Sequence, residues 1–179
     1  MNMTLDGFCD HTAGIADDEI HQHYADLLRN SGTALYGRKT FQLMEYWRSV
    51  VENPTGNKST DDFAVTMDKI PKIVFSRTLK NVEWKTARLA TRDLKEEVLE
   101  LRQQEGSDIL VGSPSLIVAL TQLGLIDEYQ LGILPTILGR GLTLFKDITN
   151  RVDLKLLKTK AFSCGVAIHY YKATKPETR

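Results

Sequence analysis

The chain has 179 residues, enough for one sizeable core and short for two. Apolar residues make up 42% and charged residues 26%, the proportions of an ordinary globular domain. Its 23 basic residues balance 23 acidic ones, which argues against nucleic acid or an anionic membrane as the main partner but leaves room for a local cluster that binds a small anion.

The first residues, Met1 to Gly7, show no basic segment followed by an apolar one, so no signal peptide is expected and the expected location is the cytoplasm. The acidic run Asp17, Asp18 and Glu19 suits a helix start. It opens a helix to about Asn30, with Ile20, Tyr24, Leu27 and Leu28 on one face and Gly32 as its stop. A short strand follows at Thr33 to Tyr36, then a helix from Thr40 to about Val50 with Phe41, Met44 and Trp47 on one face. Glu52 to Asp62, with Pro54, Gly56, Asn57 and Ser59, reads as a surface loop within the domain. A short helix at Asp61 to Lys69, a strand at Lys72 to Phe75, a helix at Asp93 to Gln104 capped by Asp93, a strand at Asp108 to Val111 and a helix at Pro114 to Leu123 complete a βα alternation. The pattern then changes to strands at Glu128 to Leu134, Leu154 to Lys160 and Val166 to Tyr171. Ser163, Cys164 and Gly165 mark the bend of a C-terminal antiparallel hairpin.

This order implies a single α/β domain over residues 1–179 with a mostly parallel sheet, and such sheets bind ligands beyond the carboxyl ends of their strands. Three of those ends suit an anion. After the first come Gly37, Arg38, Lys39 and Thr40 at a helix start. After the second come Ser76, Arg77 and Thr78. After the third come Gly112, Ser113, Pro114, Ser115 and Leu116, again at a helix start. Taken singly, each also reads as a capped helix or a polar turn. Their conjunction on one sheet edge suits a ligand with several phosphates, such as NADP, better than a single inorganic anion. Neither the Walker pattern nor Gly-x-Gly-x-x-Gly is present.

No metal site is expected: Cys9 and Cys164 fit no zinc spacing, and His21 and His23 point apart on a helix. Asp6 is the catalytic candidate, able to orient a substrate or to make a turn with Gly7. His11 is a weaker proton-donor candidate, and His169 reads as structural.

Several segments, in order, resemble the dihydrofolate reductase superfamily, in the branch that includes the C-terminal reductase domain of the bacterial riboflavin-biosynthesis deaminase–reductase. They are Met3 to Phe8, Gly37 to Phe41, Phe75 to Leu79, Asp108 to Gly112, Gly124 to Tyr129, Pro135 to Gly139 with Gly141 and Leu142, and Leu144 with Phe145. The resemblance implies a three-layer α/β fold around a sheet of about eight strands, with NADPH as cofactor. It implies a reductase acting on a ribosylamino-pyrimidine phosphate or another small molecule, in a homodimer. Carried over by position, Gly37, Arg38, Lys39 and Thr40 meet the cofactor phosphates, and Ser76 and Arg77 face the 2′-phosphate. Gly112, Ser113, Pro114, Ser115 and Leu116 hold the pyrophosphate, and Leu5, Asp6 and Gly7 begin the loop over the nicotinamide. The chain departs from the pattern at Gly112-Ser113-Pro114, where the family has paired glycines. Pterin reduction, or nucleotide binding without catalysis in a dimer, are the alternatives. The apolar segment Tyr129 to Leu138 fits either a dimer interface or a buried central strand.

Overall fold

Asp17 accepts a hydrogen bond from the Ile20 N–H at 2.9 Å and so starts the first helix, α1 (Asp18–Arg29). The computed structural model describes residues 1–14 and 17–174, and their contacts divide into two compact units, one of residues 17–116 and one of residues 1–16 with 117–179.

The first unit carries α1, β2 (Ser31–Gly37), α2 (Arg38–Met44), α3 (Tyr46–Glu52), α4 (Lys58–Lys69), β3 (Lys72–Phe75), β4 (Ala87–Leu89), α5 (Leu94–Leu101) and β5 (Asp108–Val111). Its four strands form one parallel sheet in the order β4-β3-β2-β5. Parallel strands need crossovers: α2, α3 and α4 lie between β2 and β3 and α5 between β4 and β5, whereas β3 and β4 are joined without a helix. Ala34, Tyr36 and Val74 bury one face with Ala25 and Leu28 of α1, Phe41 of α2, Phe63 and Met67 of α4, and Trp84. Leu35 and Ile73 alternate with these and are buried on the other face.

Lys72, at the start of β3, is 1% exposed. Its ammonium donates to the Ile70 carbonyl at 2.8 Å, the Thr86 hydroxyl at 2.9 Å and the Asp68 carbonyl at 3.3 Å, and it lies 4.0 Å from the Trp84 ring centroid. Three acceptors and a ring face account for a buried charge that would otherwise be costly. The Asp68 and Ile70 carbonyls belong to the C-terminal end of α4, where a cation is favoured by the helix dipole.

The second unit carries β1 (Asn2–Thr4), β6 (Glu128–Leu134), β7 (Leu154–Ala161) and β8 (Ala167–Ala173) in the order β1-β6-β8-β7. β1 runs parallel to β6, whereas β8 is antiparallel to both β6 and β7. The hairpin bend lies where expected: Gly165 takes φ +87°, and the Phe162 N–H donates to the Val166 carbonyl at 2.9 Å. The remaining helix, α6 (Pro114–Gln122), crosses the division between the units. β6 is an inner strand with Tyr129, Leu131 and Leu134 buried, whereas Ile137, further along the same apolar run, is 74% exposed.

Several expectations are corrected. The eight strands form two hydrogen-bonded sheets of four, not one sheet of eight; β1 and β5 end their respective sheets and, at three and four residues, expose few ladder groups for a further pairing. Gly32 does not stop α1. Asn30 caps it, the Ser31 hydroxyl donates to the Leu27 carbonyl at 2.7 Å, and Gly32 already lies in β2 at a register shift against β5. The helix expected over Thr40 to Val50 is two helices meeting at Glu45, where the Arg48 N–H reaches back only three residues, to the Glu45 carbonyl. The loop ends earlier than expected, because Asn57 accepts from the Thr60 N–H and starts α4 at Lys58. The helix expected to Gln104 stops at Leu101.

Candidate functional site

In a parallel sheet the register decides which strand exits stand level. Gly37 in β2 is opposite Phe75 in β3, and Leu35 is opposite Val111 in β5. The exits after Gly37, Phe75 and Val111 therefore open on one edge of the first unit's sheet, as the sequence suggested.

At the β2 exit, Gly37 is the extended N-cap of α2, with φ −78° and no side-chain cap. A Cβ at this position would come no closer than 3.5 Å to a neighbour, the Ser115 hydroxyl, so the protein's own packing does not require glycine here. Arg38 donates only to the neutral side chain of Gln42, at 3.3 Å, and Lys39 is exposed. At the β3 exit, the Ser76 hydroxyl accepts from the N–H groups of Thr78 and Leu79 at 3.1 and 3.0 Å, so it shapes the turn, and Arg77 is exposed. Among the described residues no carboxylate pairs with Arg38, Lys39 or Arg77.

The β5 exit is built differently. A Cβ on Gly112 would sit 2.7 Å from Cε1 of the buried Tyr36 ring, so glycine is demanded here by the protein itself. Ser113 is 1% exposed, and its hydroxyl accepts from the Gly37 N–H at 2.8 Å. The Ser113 hydroxyl thus fastens the β5 exit to the β2 exit and takes up the Gly37 N–H. Pro114 opens α6 without an N–H to satisfy, Ser115 is exposed and Leu116 is buried.

The second unit holds the other candidates, Leu5, Asp6 and Gly7, in the turn after β1. Thr4 is fully buried, its N–H donates to the Phe8 carbonyl, and its hydroxyl donates to Asp6 at 2.6 Å. The Asp6 carboxylate also accepts from the Leu138 N–H at 3.1 Å and the Gly139 N–H at 2.7 Å. The Thr4 hydroxyl first, then the Gly139 N–H, hold this exposed carboxyl below the usual carboxylate range. Leu5 is 65% exposed and Gly7 takes φ +86°. Spacing could not reveal the contributions of Thr4, Leu138 and Gly139, because two of them lie more than 130 residues from Asp6. The one signal was that both segments occur among the motifs quoted above. Of the remaining candidates, His169 makes a 2.9 Å contact with Thr159 across the β7–β8 ladder, as a structural residue would. No group of three metal-ligating side chains lies together among the described residues.

Residues 1–168 match the RibD C-terminal domain family. The uncharacterized protein YyaP of Bacillus subtilis (strain 168) is 37% identical over 168 residues, 92% of this chain and 87% of YyaP. YwjB of the same organism, also uncharacterized, is 27% identical over 96% of this chain and 94% of its own length. Among solved structures, a Shewanella sp. PV-4 protein provisionally named for riboflavin biosynthesis superposes with a TM-score of 0.74 at 16% identity, covering 98% of this chain and 97% of that one. The Thermotoga maritima diaminohydroxyphosphoribosylaminopyrimidine deaminase/5-amino-6-(5-phosphoribosylamino)uracil reductase gives a TM-score of 0.64 at 17% identity, over 97% of this chain and 55% of that longer one. At these identities the solved structures establish the shared α/β fold, and the match across residues 1–168 shows that the chain belongs to the RibD C-terminal domain family.

Proposed function

We propose that the chain is an NADPH-dependent reductase that passes hydride to a small heterocyclic or sugar-phosphate substrate, in the manner of a 5-amino-6-(5-phosphoribosylamino)uracil reductase. The observation that carries this reading is the set of cations Arg38, Lys39 and Arg77, un-neutralised by any carboxylate among the described residues, at two adjacent exits of a parallel sheet. A cofactor with a pyrophosphate and a 2′-phosphate supplies the missing charge. The spare room at Gly37 fits close approach of an anion to the backbone.

On this reading Gly37, Arg38, Lys39 and Thr40 hold phosphate at the start of α2. Arg77, on the turn built by Ser76, takes the 2′-phosphate. Ser115 and the backbone around Gly112 to Leu116 face the pyrophosphate, with Ser113 acting from behind through Gly37. NADPH, when bound, supplies the hydride, and the protein's task is to bind and orient.

Quenching of Trp47 and Trp84 fluorescence during titration with NADPH, with NADH as control, tests the proposal. Saturable quenching with NADPH preferred is the expected outcome, and no saturation up to millimolar NADPH would sink it. A second reading is nucleotide binding without turnover; the Gly37 N–H, spent on Ser113, leaves one donor fewer for a cofactor phosphate. Oxidation of bound NADPH with the pyrimidine phosphate, or with dihydrofolate for a pterin reductase, separates these readings.

A further inference from the structure

The turn after β1 and the segment after β6 are fastened by a web of hydrogen bonds. The Leu5 N–H donates to the Thr136 carbonyl at 2.9 Å and the Cys9 N–H to the Leu142 carbonyl at 2.7 Å. Between these two bonds the Asp6 carboxylate reaches across to two successive N–H groups, those of Leu138 and Gly139. Its near oxygen is held from behind by the Thr4 hydroxyl, which in turn accepts from the Phe8 N–H at 3.0 Å. The backbone on both sides is specialised for this shape: Gly7 and Gly139 take φ +86° and +77°, and a Cβ on Gly141 would lie 3.2 Å from Phe8. Three large apolar side chains on the two fastened segments remain exposed: Leu5 at 65%, Ile137 at 74% and Leu142 at 56%.

We propose that Asp6 is a positioning residue, whose carboxylate braces residues 136–142 against the turn after β1 and so fixes the apolar surface that Leu5, Ile137 and Leu142 offer to an aromatic ring of cofactor or substrate. The inference rests on the reductase reading, which supplies an aromatic cofactor and substrate. Three donors of the protein itself occupy the carboxylate, on both of its oxygens. The same donors favour its ionised form, so Asp6 has no proton to give at neutral pH. A brace acts on how well the ligand is held, whereas a proton donor acts on turnover.

The test is steady-state kinetics of Asp6→Asn, with amide hydrogen exchange of the cofactor-free protein. An amide in place of the carboxylate offers one acceptor oxygen and opposes an NH₂ to one of the donors. The expected result is a KM for NADPH raised about tenfold, with kcat at saturation within about threefold of wild type. Faster exchange at Leu138 and Gly139 accompanies it. Asp6→Glu restores part of the KM. Thr4→Val, which keeps the carboxylate and deletes one donor, raises KM in the same direction by less and gives a second reading if Asp6→Asn does not fold. A kcat lowered a hundredfold or more with KM unchanged would overturn the proposal in favour of proton transfer. Wild-type KM and exchange in both Asp6→Asn and Thr4→Val would overturn the brace. Failure of the wild type to bind NADPH is a separate result: it removes the reductase reading and, with it, the role of the brace in positioning a ligand.

Discussion

Gly37 and Gly112 are both glycines at exits of the same sheet, and the structure gives them different reasons for being glycine. At Gly112 a methyl group would meet the Tyr36 ring at 2.7 Å, and that ring is buried with its hydroxyl directed at the Met67 sulfur, 3.6 Å away. Gly112→Ala is therefore expected to destabilise the fold by about 1–3 kcal/mol, read as a lower urea midpoint. At Gly37 a methyl meets nothing closer than 3.5 Å, and φ of −78° suits alanine. Gly37→Ala is expected to leave stability unchanged or raise it by up to about 1 kcal/mol, yet to weaken NADPH. Equal NADPH affinity in Gly37→Ala would remove Gly37 from the cofactor site. Arg77→Ala, at an exposed residue with no carboxylate partner among those described, should weaken NADPH by about tenfold or more and NADH little. Equal losses would show that Arg77 does not read the 2′-phosphate. The Gly-Ser-Pro departure was visible in the sequence. The inward turn of Ser113 onto Gly37 was not, because it depends on a register between strands more than 70 residues apart.

At the scale of elements, periodicity identified most helices and strands, and the errors fall where a polar side chain or a single hydrogen bond overrides it. Asn57, read as loop, caps α4, and Asp61, expected to start the helix, lies inside its first turn and accepts from the Thr55 and Gly56 N–H groups. β4 went unpredicted because three residues show no period. The packing of α1 on α4 carries a further consequence. His21 on α1 is half-buried, within 3.2 Å of the Thr60 hydroxyl on α4, with its ring 5.9 Å from Trp47 and 5.8 Å from Phe63. Burial lowers its pKa, and Asp18 and then Asp17 oppose the shift only in part. A lowered pKa means that the unfolded chain takes up the proton first as pH falls. Stability is then complete at neutral pH and is lost below about 6.5, the value for a free histidine. Denaturant midpoints measured from pH 8 to pH 5 should fall for the wild type and fall less for His21→Gln. Parallel curves would show that His21 is not the group responsible.

On the scale of the molecule, six of the eight strands and the change from parallel to antiparallel pairing were legible in the alternation of segments. The division of eight strands into two sheets was not, since short strands such as β1 and β5 carry no pattern that states which edges remain unpaired. One of those edges poses a problem of its own. β7 ends its sheet, and all eight of its residues are exposed, Leu154, Leu156 and Leu157 among them. A long exposed strand bearing leucines invites pairing with another chain, and a net charge of zero gives no repulsion to oppose it. The strand carries its own protection in Lys155, Lys158 and Lys160. The Lys158 ammonium lies over the Tyr170 ring at 4.4 Å and the Lys160 ammonium over the Phe162 ring at 4.5 Å, so both charges are held at this edge of the sheet. Replacing Lys158 and Lys160 together with valine raises β-propensity and removes two positive charges at the same edge. The wild type is expected to sediment as a discrete species independent of concentration, and the double variant to grow in mass as concentration rises. Sedimentation velocity over a tenfold range of concentration reads this directly; identical profiles for the two proteins would show that the lysines do not guard the edge.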